Sequence, residues 1–219
     1  MKLVTGEPAA VSGKTLMIAD LHLGVELELR KQGLRFAPQH LKEAARVAAL
    51  MEKTKTKRLV IVGDAKHDVR GFDAQERRMV QEFVDAIGCE VTVVKGNHDS
   101  MLSGIRDLTV EPPCGIVFEG IGLVHGHAWP CDEVLARKTI LCGHQHPVYS
   151  FEDSLGKWQV PCWLKASLGK SKLAVLPAFG LLAGGTRVNK EKLLGPLFAA
   201  GKARDRRAFT LCGEALGKA

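Results

Sequence analysis

Short apolar runs recur along the chain at Leu16–Ala19, Leu59–Val62, Val91–Val94, Ile121–Val124, Ile140–Cys142 and Leu173–Leu176, with β-branched residues prominent in most of them. Runs of this length that are apolar throughout, rather than alternating with polar residues, belong to strands buried on both faces of an α/β sheet. Between the second and third runs, Met79, Val80, Phe83, Val84 and Ile87 fall at i, i+1, i+4, i+5 and i+8. That spacing predicts an amphipathic helix over 73–87, opened by an Asp73–Glu76 capping box and stopped by Gly88. A second helix is predicted over 38–51, where Leu41, Ala44, Ala45, Ala48 and Met51 form a stripe behind Pro38. Strand and helix alternate early in the chain. From Ile116 onward the strands are closely spaced and helical periodicity is weak. Two packed sheets flanked by helices accommodate both habits. One domain over 1–219 is expected, and beyond about Lys190 a Gly, Ala and basic composition predicts a helical or loosely held tail.

Composition narrows the setting. A chain of 219 residues that is 46% hydrophobic can bury the core of one domain. No run of 18 apolar residues occurs, and the start MKLVTGEPAAVSG has no apolar leader region, so a cytosolic, that is cytoplasmic, protein without a membrane partner is expected. The six cysteines stand singly, with no CxxC pair, which reads as reduced thiols used as small apolar side chains. The formal charge of +7 suits an anionic partner. Much of the excess lies near the C-terminus, where Lys202, Arg204, Arg206, Arg207 and Lys218 face only Asp205 and Glu214. A solvated tail and a phosphate-backbone contact explain that stretch equally well.

The chemistry is concentrated in five polar motifs, each at the end of an apolar run: DLHLG from Asp20, GDAKH from Gly63, GNHD from Gly96, HGH from His125 and GHQH from Gly143. They hold seven of the eight histidines; the eighth, His40, is expected on the surface of its helix. Carboxylate, amide oxygen and imidazole are supplied in numbers sufficient for two divalent cations. Strand ends are where an α/β sheet presents a site, and a glycine ahead of the ligand lets the backbone turn there. Asp20 and His22 are two apart, so a loop rather than a strand must aim both at one ion. Asp64 has two oxygens with which to bridge two ions. Other motifs fall away. Gly13-Lys14-Thr15 and Gly169-Lys170-Ser171 have Pro8 and Leu164 where a phosphate-binding loop needs its first glycine. Cys131 and Arg137 have a cysteine-phosphatase spacing, but Asp132 and Glu133 beside the sulfur would raise its pKa.

In order, D-x-H, G-D-x-x-H, G-N-H-D, H-G-H and G-H-x-H resemble the calcineurin-like metallophosphoesterase superfamily, over about Ile18 to Pro147. LPAFGLLAGG at Leu176–Gly185, with DLHLG and the following ELRKQG, is similar to a narrower group: SbcD-related archaeal and bacterial phosphoesterases, including ligase-associated DNA damage response endonucleases. The resemblance implies a four-layer αββα fold and a metal-dependent phosphodiesterase, a DNA nuclease of repair, with a helicase or ligase as partner. It implies Asp20, His22 and His146 on one metal, Asn97, His125 and His144 on the other, and Asp64 between them. His98 would be the unligated histidine beside the scissile phosphate, Asp99 the partner that fixes its ring, and His67 a second active-site histidine. His127 is open to exchange with His125.

Two cations about 3.5–4 Å apart acidify a shared water and hold phosphate oxygens, and His98 as imidazolium would protonate the leaving oxygen. The N/O donor set without thiolate suits Mn, Fe, Co or Zn, and the resemblance favours Mn2+. Ala65 and Lys66 depart from the apolar pair of nuclease relatives. Lys66 is left between a substrate phosphate and solvent, and Trp129 between a base or sugar and its own loop. Two other functions fit the motifs: a phosphomonoesterase or small or cyclic nucleotide phosphodiesterase, and a non-catalytic metal-bound scaffold for repair partners.

Overall fold

The computed structural model describes residues 1–219. Its first sheet collects β1 (Lys2–Leu3), β2 (Ala10–Ser12), β3 (Thr15–Ile18), β4 (Arg58–Ile61), β5 (Val91–Val94) and β6 (Leu108–Glu111), in sequence order. The first three strands form an antiparallel meander, while β3 to β6 run parallel. The crossovers carry α1 (Val25–Lys31), α2 (His40–Thr54) and α3 (Ala74–Ile87). The rest of the chain adds β7 (Ile116–Phe118), β8 (Ile121–Val124), α4 (Asp132–Leu135), β9 (Thr139–Cys142), β10 (Pro147–Asp153), β11 (Gly156–Pro161), β12 (Trp163–Leu168), β13 (Ser171–Val175), β14 (Thr186–Arg187), α5 (Pro196–Ala199), β15 (Ala203–Phe209) and β16 (Ala215–Lys218). Seven of these strands form a second sheet in the order β16-β15-β12-β13-β9-β8-β7, and β11-β10-β14 form a third.

Alternation hidden inside the apolar runs assigns each residue to a layer. Leu16, Ile18, Leu59, Ile61, Val91 and Val93 point to α2 and α3, packing with Ala44, Val47, Val80, Phe83 and Val84. Their neighbours Met17, Ala19, Val60, Val62 and Val94 pack against Ile121, Leu123, Leu141, Trp163 and Ala174 of the second sheet. The far face of that sheet, with Val124, Ile140, Leu164, Leu173 and Val175, is closed by Val134 of α4, Leu197 of α5 and the segment around Leu193. Each such side chain withdrawn from water contributes about 1.5–3 kcal/mol. The order helix, sheet, sheet, helix is the expected one, although the outer helices over the second sheet are only four residues long.

Three local expectations are corrected. The buried stripe of α2 is His40, Glu43, Ala44, Val47, Leu50 and Met51, and Leu41 is 53% exposed. Two polar residues on the inner face rotate the stripe by about one position from the one that hydropathy selects. His40 is buried and pairs through Nε2 with Glu82 Oε2 at 2.8 Å, so it is not a surface residue. The basic C-terminal segment is a hairpin, with β15 bound to β12 and β16 closing the sheet edge. A bulge opposite Lys165–Ser167, where Asp205 takes φ 54°, breaks the two-residue alternation that would have marked it as strand. α3 begins and ends as expected: Asp73 accepts the Glu76 amide at 2.8 Å and Gly88 caps the other end at φ 67°. The Glu76 carboxylate does not close the box, however. It accepts from the His67 and Asp68 amides at 3.0 and 2.8 Å.

Candidate active site

The C-terminal ends of parallel strands from both sheets meet at one place. β3 leads to Asp20 and His22, β4 to Asp64, β5 to Asn97 and His98, β8 to His125, and β9 to His144 and His146. The first two loops extend the strand pairing beyond the sheet: His22 N donates to Asp64 O, Leu23 N to Ala65 O and His67 N to Leu23 O, at 2.9–3.0 Å. Their residues cannot remain strand-like while aiming side chains inward. Asp20, His22, Asp64, His144 and His146 all take left-handed φ values, of 57°, 50°, 52°, 71° and 42°. Such conformations cost about 1 kcal/mol or more each for non-glycine residues, and strain of this kind gathers at functional sites. Gly63 has φ 87°, and a Cβ there would lie 2.1 Å from His125 Nδ1. At Gly96 a Cβ would lie 2.1 Å from Asp64 Oδ1. Both glycines therefore make room for a side chain of the cluster, His125 and Asp64 respectively.

Two clusters share one carboxylate. Potential ligand atoms of Asp20, His22, Asp64 and His146 lie within 4.8 Å of one another, as do those of Asp64, His125 and His144. Asp64 Oδ1 is engaged by the His98 amide at 2.9 Å, whereas Oδ2 stands 3.2 Å from His125 Nε2 and 3.8 Å from His22 Nε2. Oδ2 therefore stands beside rings of both clusters, while Oδ1 is anchored by the backbone. Asn97 Oδ1 lies 3.2 Å from His125 Nε2, and His146 Nε2 lies 3.2 Å from Asp20 Oδ1. Backbone carbonyls orient the rings. His125 Nδ1 donates to Val62 O and His146 Nδ1 to Gly184 O, each at 3.0 Å, which leaves Nε2 directed inward.

Burial holds the His22 imidazole neutral, lowering its pKa to about 3 against the pull of Asp20 and Asp64, and burial likewise lowers His144 to about 4. For His125 burial also acts downward, but the hydrogen bond and charge of Asp64, with the charge of Asp20, outweigh it and raise the ring to about 9. The same pairing keeps Asp64 well below the usual carboxylate range although burial pushes it upward. Carboxylate oxygens, an amide oxygen and imidazole nitrogens converging without thiolate fit divalent cations of the Mn, Fe, Co or Zn type.

The remaining motif residues separate. His98 Nδ1 is held by the His67 carbonyl, and its Nε2 stands 3.9 Å from Asp64 Oδ2. Asp99 does not touch that ring. Its buried carboxylate accepts the amides of Asp64, Ala65 and Gly96 at 2.7–2.8 Å, so it shapes the loop that carries Asp64. The expected Asp99–His98 pairing fails because the Asp64 and Ala65 amides after the Gly63 bend and the Gly96 amide of its own loop occupy the carboxylate. His67 joins the cluster, with Nδ1 3.4 Å from His22 Nδ1 and its ring stacked 5.6 Å from His98. Both open onto a depression of about 530 Å³ that Lys31 and Arg70 also line. His127 stands one layer out, its ring 5.3 Å from His125 and 6.2 Å from His144, with a buried Nδ1 that has no partner.

Lys66 faces neither phosphate nor solvent. It is fully buried, with Nζ donating to the carbonyls of Asp68 and Gly71 and lying 3.9 Å from Glu76 Oε2. Trp129 is 45% exposed and lines a larger cavity away from the metal-ligand cluster. Sequence reasoning missed the supports of the site. Glu43 and Arg46 of α2 bind Leu181 N and Phe179 O at 3.0 and 3.1 Å, positioning the segment that presents the Gly184 carbonyl to His146. Buried Gln145 exchanges two hydrogen bonds with the Leu194 backbone. In sequence these are ordinary polar residues of a helix and a loop, and nothing local marks them.

A family model described as calcineurin-like phosphoesterase matches residues 13–166. Among solved structures, the nuclease MPE of Pseudomonas putida aligns with TM-score 0.64 and 21% identity, covering 93% of this chain and 88% of that one. Yfce, a phosphoesterase from E. coli, aligns with TM-score 0.47 and 18% identity, over 78% of this chain and 83% of that one. No curated protein matches the chain.

Proposed function

Since the chain belongs to the calcineurin-like phosphoesterase family and is a hydrolase of phosphate esters, we propose that it cleaves phosphodiester bonds of nucleic acid, DNA foremost, in repair. The observation that carries this reading is the meeting of two candidate ligand clusters at Asp64, with His98 Nε2 3.9 Å from Asp64 Oδ2. In this reading Asp20, His22 and His146 would hold one divalent cation and Asn97, His125 and His144 the other, with Asp64 available to both and Mn2+ the metal of choice. When bound, such a pair supplies positive charge to phosphate oxygens and lowers the pKa of water to a nucleophilic range.

The chain's own residues do the rest. Val62 and Gly184 fix the ring tautomers that direct lone pairs inward. In the displacement, a water oxygen bonds to phosphorus, the bond from phosphorus to the leaving oxygen breaks, and that oxygen needs a proton. His98 keeps its Nδ1 proton on the His67 carbonyl, so its Nε2 carries a proton only as imidazolium and can deliver that proton to the leaving group. His67 positions it. Asp99 acts through the loop alone, and Lys66 is no substrate contact. The nucleic-acid choice is supported by the +7 charge and by the likeness of the sequence motifs to repair nucleases.

The test is incubation of the protein with labelled linear and circular, single- and double-stranded DNA in Mn, Fe, Co or Zn, beside Asp64→Ala. Cleavage by the wild type and none by the variant is expected. Hydrolysis of p-nitrophenyl esters without cleavage of any oligonucleotide would make the protein a small-molecule phosphoesterase instead. Two bound metals with no hydrolysis at all would leave a scaffold.

A further inference from the structure

The larger cavity, of about 960 Å³, lies between the end of α4, the start of β9 and the β12–β13 turn. Lys138, Lys170, Lys172 and Lys202 line it with Arg137, and Trp129 forms part of its wall. All four lysines are exposed, and none takes part in an ion pair, unlike Lys31, Lys66 and Lys157. No carboxylate side chain lines the cavity. The walls are fixed: buried Ser171 donates to Arg137 O at 2.6 Å, and Lys172 N to Lys138 O at 2.9 Å, so the backbones that carry two of the ammonium groups are paired. Five cations held together without counter-charge repel one another, a cost that an anionic occupant would offset.

We propose that this cleft is a second contact surface for the substrate strand, binding the phosphodiester backbone of nucleic acid through the lysines and stacking a base on Trp129. It rests on the nucleic-acid reading above. The Trp129 indole adds what a free phosphate or a lipid headgroup does not require, an exposed aromatic face beside the cations. Trp129 is four residues from His125, at most about 14 Å of extended chain. Along one strand of a duplex that is roughly four phosphates. The Trp129 end of the cleft therefore lies within about four nucleotides of the scissile bond, and only a substrate with chain beyond the reacting diester engages it.

The experiment compares the wild type, Lys138→Ala/Lys170→Ala/Lys172→Ala and the corresponding triple Arg variant for binding of long oligonucleotides across salt concentration. Turnover of bis(p-nitrophenyl) phosphate, too short to reach the cleft, reports whether the catalytic cluster is intact. Losing three phosphate contacts should reduce the slope of log K against log salt by roughly 2 for a single strand. The Arg variant should restore the slope, and Trp129→Ala should weaken binding about five- to hundredfold. An unchanged slope in the Ala variant, with wild-type cleavage of DNA retained, overturns the cleft and leaves the nucleic-acid reading standing. A wild type that turns over the small diester but binds no DNA overturns both. Lysine-dependent binding to phosphatidylserine vesicles with an unchanged DNA slope assigns the surface to a membrane instead.

Discussion

Glu43→Gln should stabilise this protein at alkaline pH and leave it unchanged in acid. Glu43 is only 3% exposed, and its Oε1 accepts the Leu181 amide at 3.0 Å. Burial raises its pKa from 4.5 to about 7, partly countered by that hydrogen bond and helped by the neighbouring Glu26 charge. A carboxyl whose folded pKa lies above its unfolded value contributes its full stability below about pH 4.5 and loses it as pH rises to about 7. Above that the loss is constant. A shift of roughly 2.5 units at 1.36 kcal/mol per unit amounts to about 3 kcal/mol. Glutamine has the same shape, keeps an oxygen for Leu181 and carries no charge to desolvate. The variant should therefore gain about 3 kcal/mol over wild type at pH 8 and nothing at pH 4.5, or about 6–12 °C in Tm for a domain of this size. Urea unfolding of both proteins in chelator from pH 4.5 to 8 reads the difference directly. A pH-independent difference, or a variant less stable at pH 8, would refute the assignment of burial as the dominant cause. The matter bears on the site because Leu181 belongs to the segment that presents Gly184 to His146.

Three further outcomes follow from the geometry. His98→Ala should lower kcat by about 10²–10⁴ while leaving the metal content of the purified protein intact, because His98 lies outside the two proposed ligand sets. Loss of metals with activity per metal retained would mean that His98 is a ligand. Gly63→Ala places a Cβ 2.1 Å from His125 Nδ1 and at a left-handed φ. Metal stoichiometry and thermal stability should fall together, and a variant with full occupancy would show that the loop relaxes freely. Lys66→Ala removes the donor to the Asp68 and Gly71 carbonyls and the buried cation beside Glu76, and should cost about 3 kcal/mol or more of stability without altering KM for DNA. A raised KM at unchanged stability would return Lys66 to the substrate surface.

The residues legible in the sequence were those whose role is local. The six apolar runs all lie on strands because a segment buried on both faces needs no partner to reveal its hydrophobicity. The helix over 74–87 announced itself through Asp73 and Gly88, whose capping depends only on neighbours a turn away. The candidate ligand residues were legible because their chemistry is rare and each follows a strand end. His40 and Glu43 were misread, or passed over, for the converse reason: a buried polar residue looks like a surface one until its partners Glu82 and Leu181 are known.

The sequence by itself determined which motifs supply the candidate donors, the order of the early strands and helices, and the imidazole and carboxylate character of the donor set. Tertiary structure decided which of them meet. Residues from Asp20 to His146 converge because the parallel strands of two different sheets end at the same edge. Asp64 stands in both clusters, its Oδ1 held by the His98 amide and its Oδ2 3.2 Å from His125 Nε2. Asp99 left the His98 ring for three loop amides, and the His67 carbonyl took its place. The basic cleft joins Trp129 to Lys202, 73 positions apart in the chain. Hydrogen-bond competition and long-range packing are properties of an arrangement, and a linear pattern of polar and apolar residues does not encode which of several willing donors arrives first.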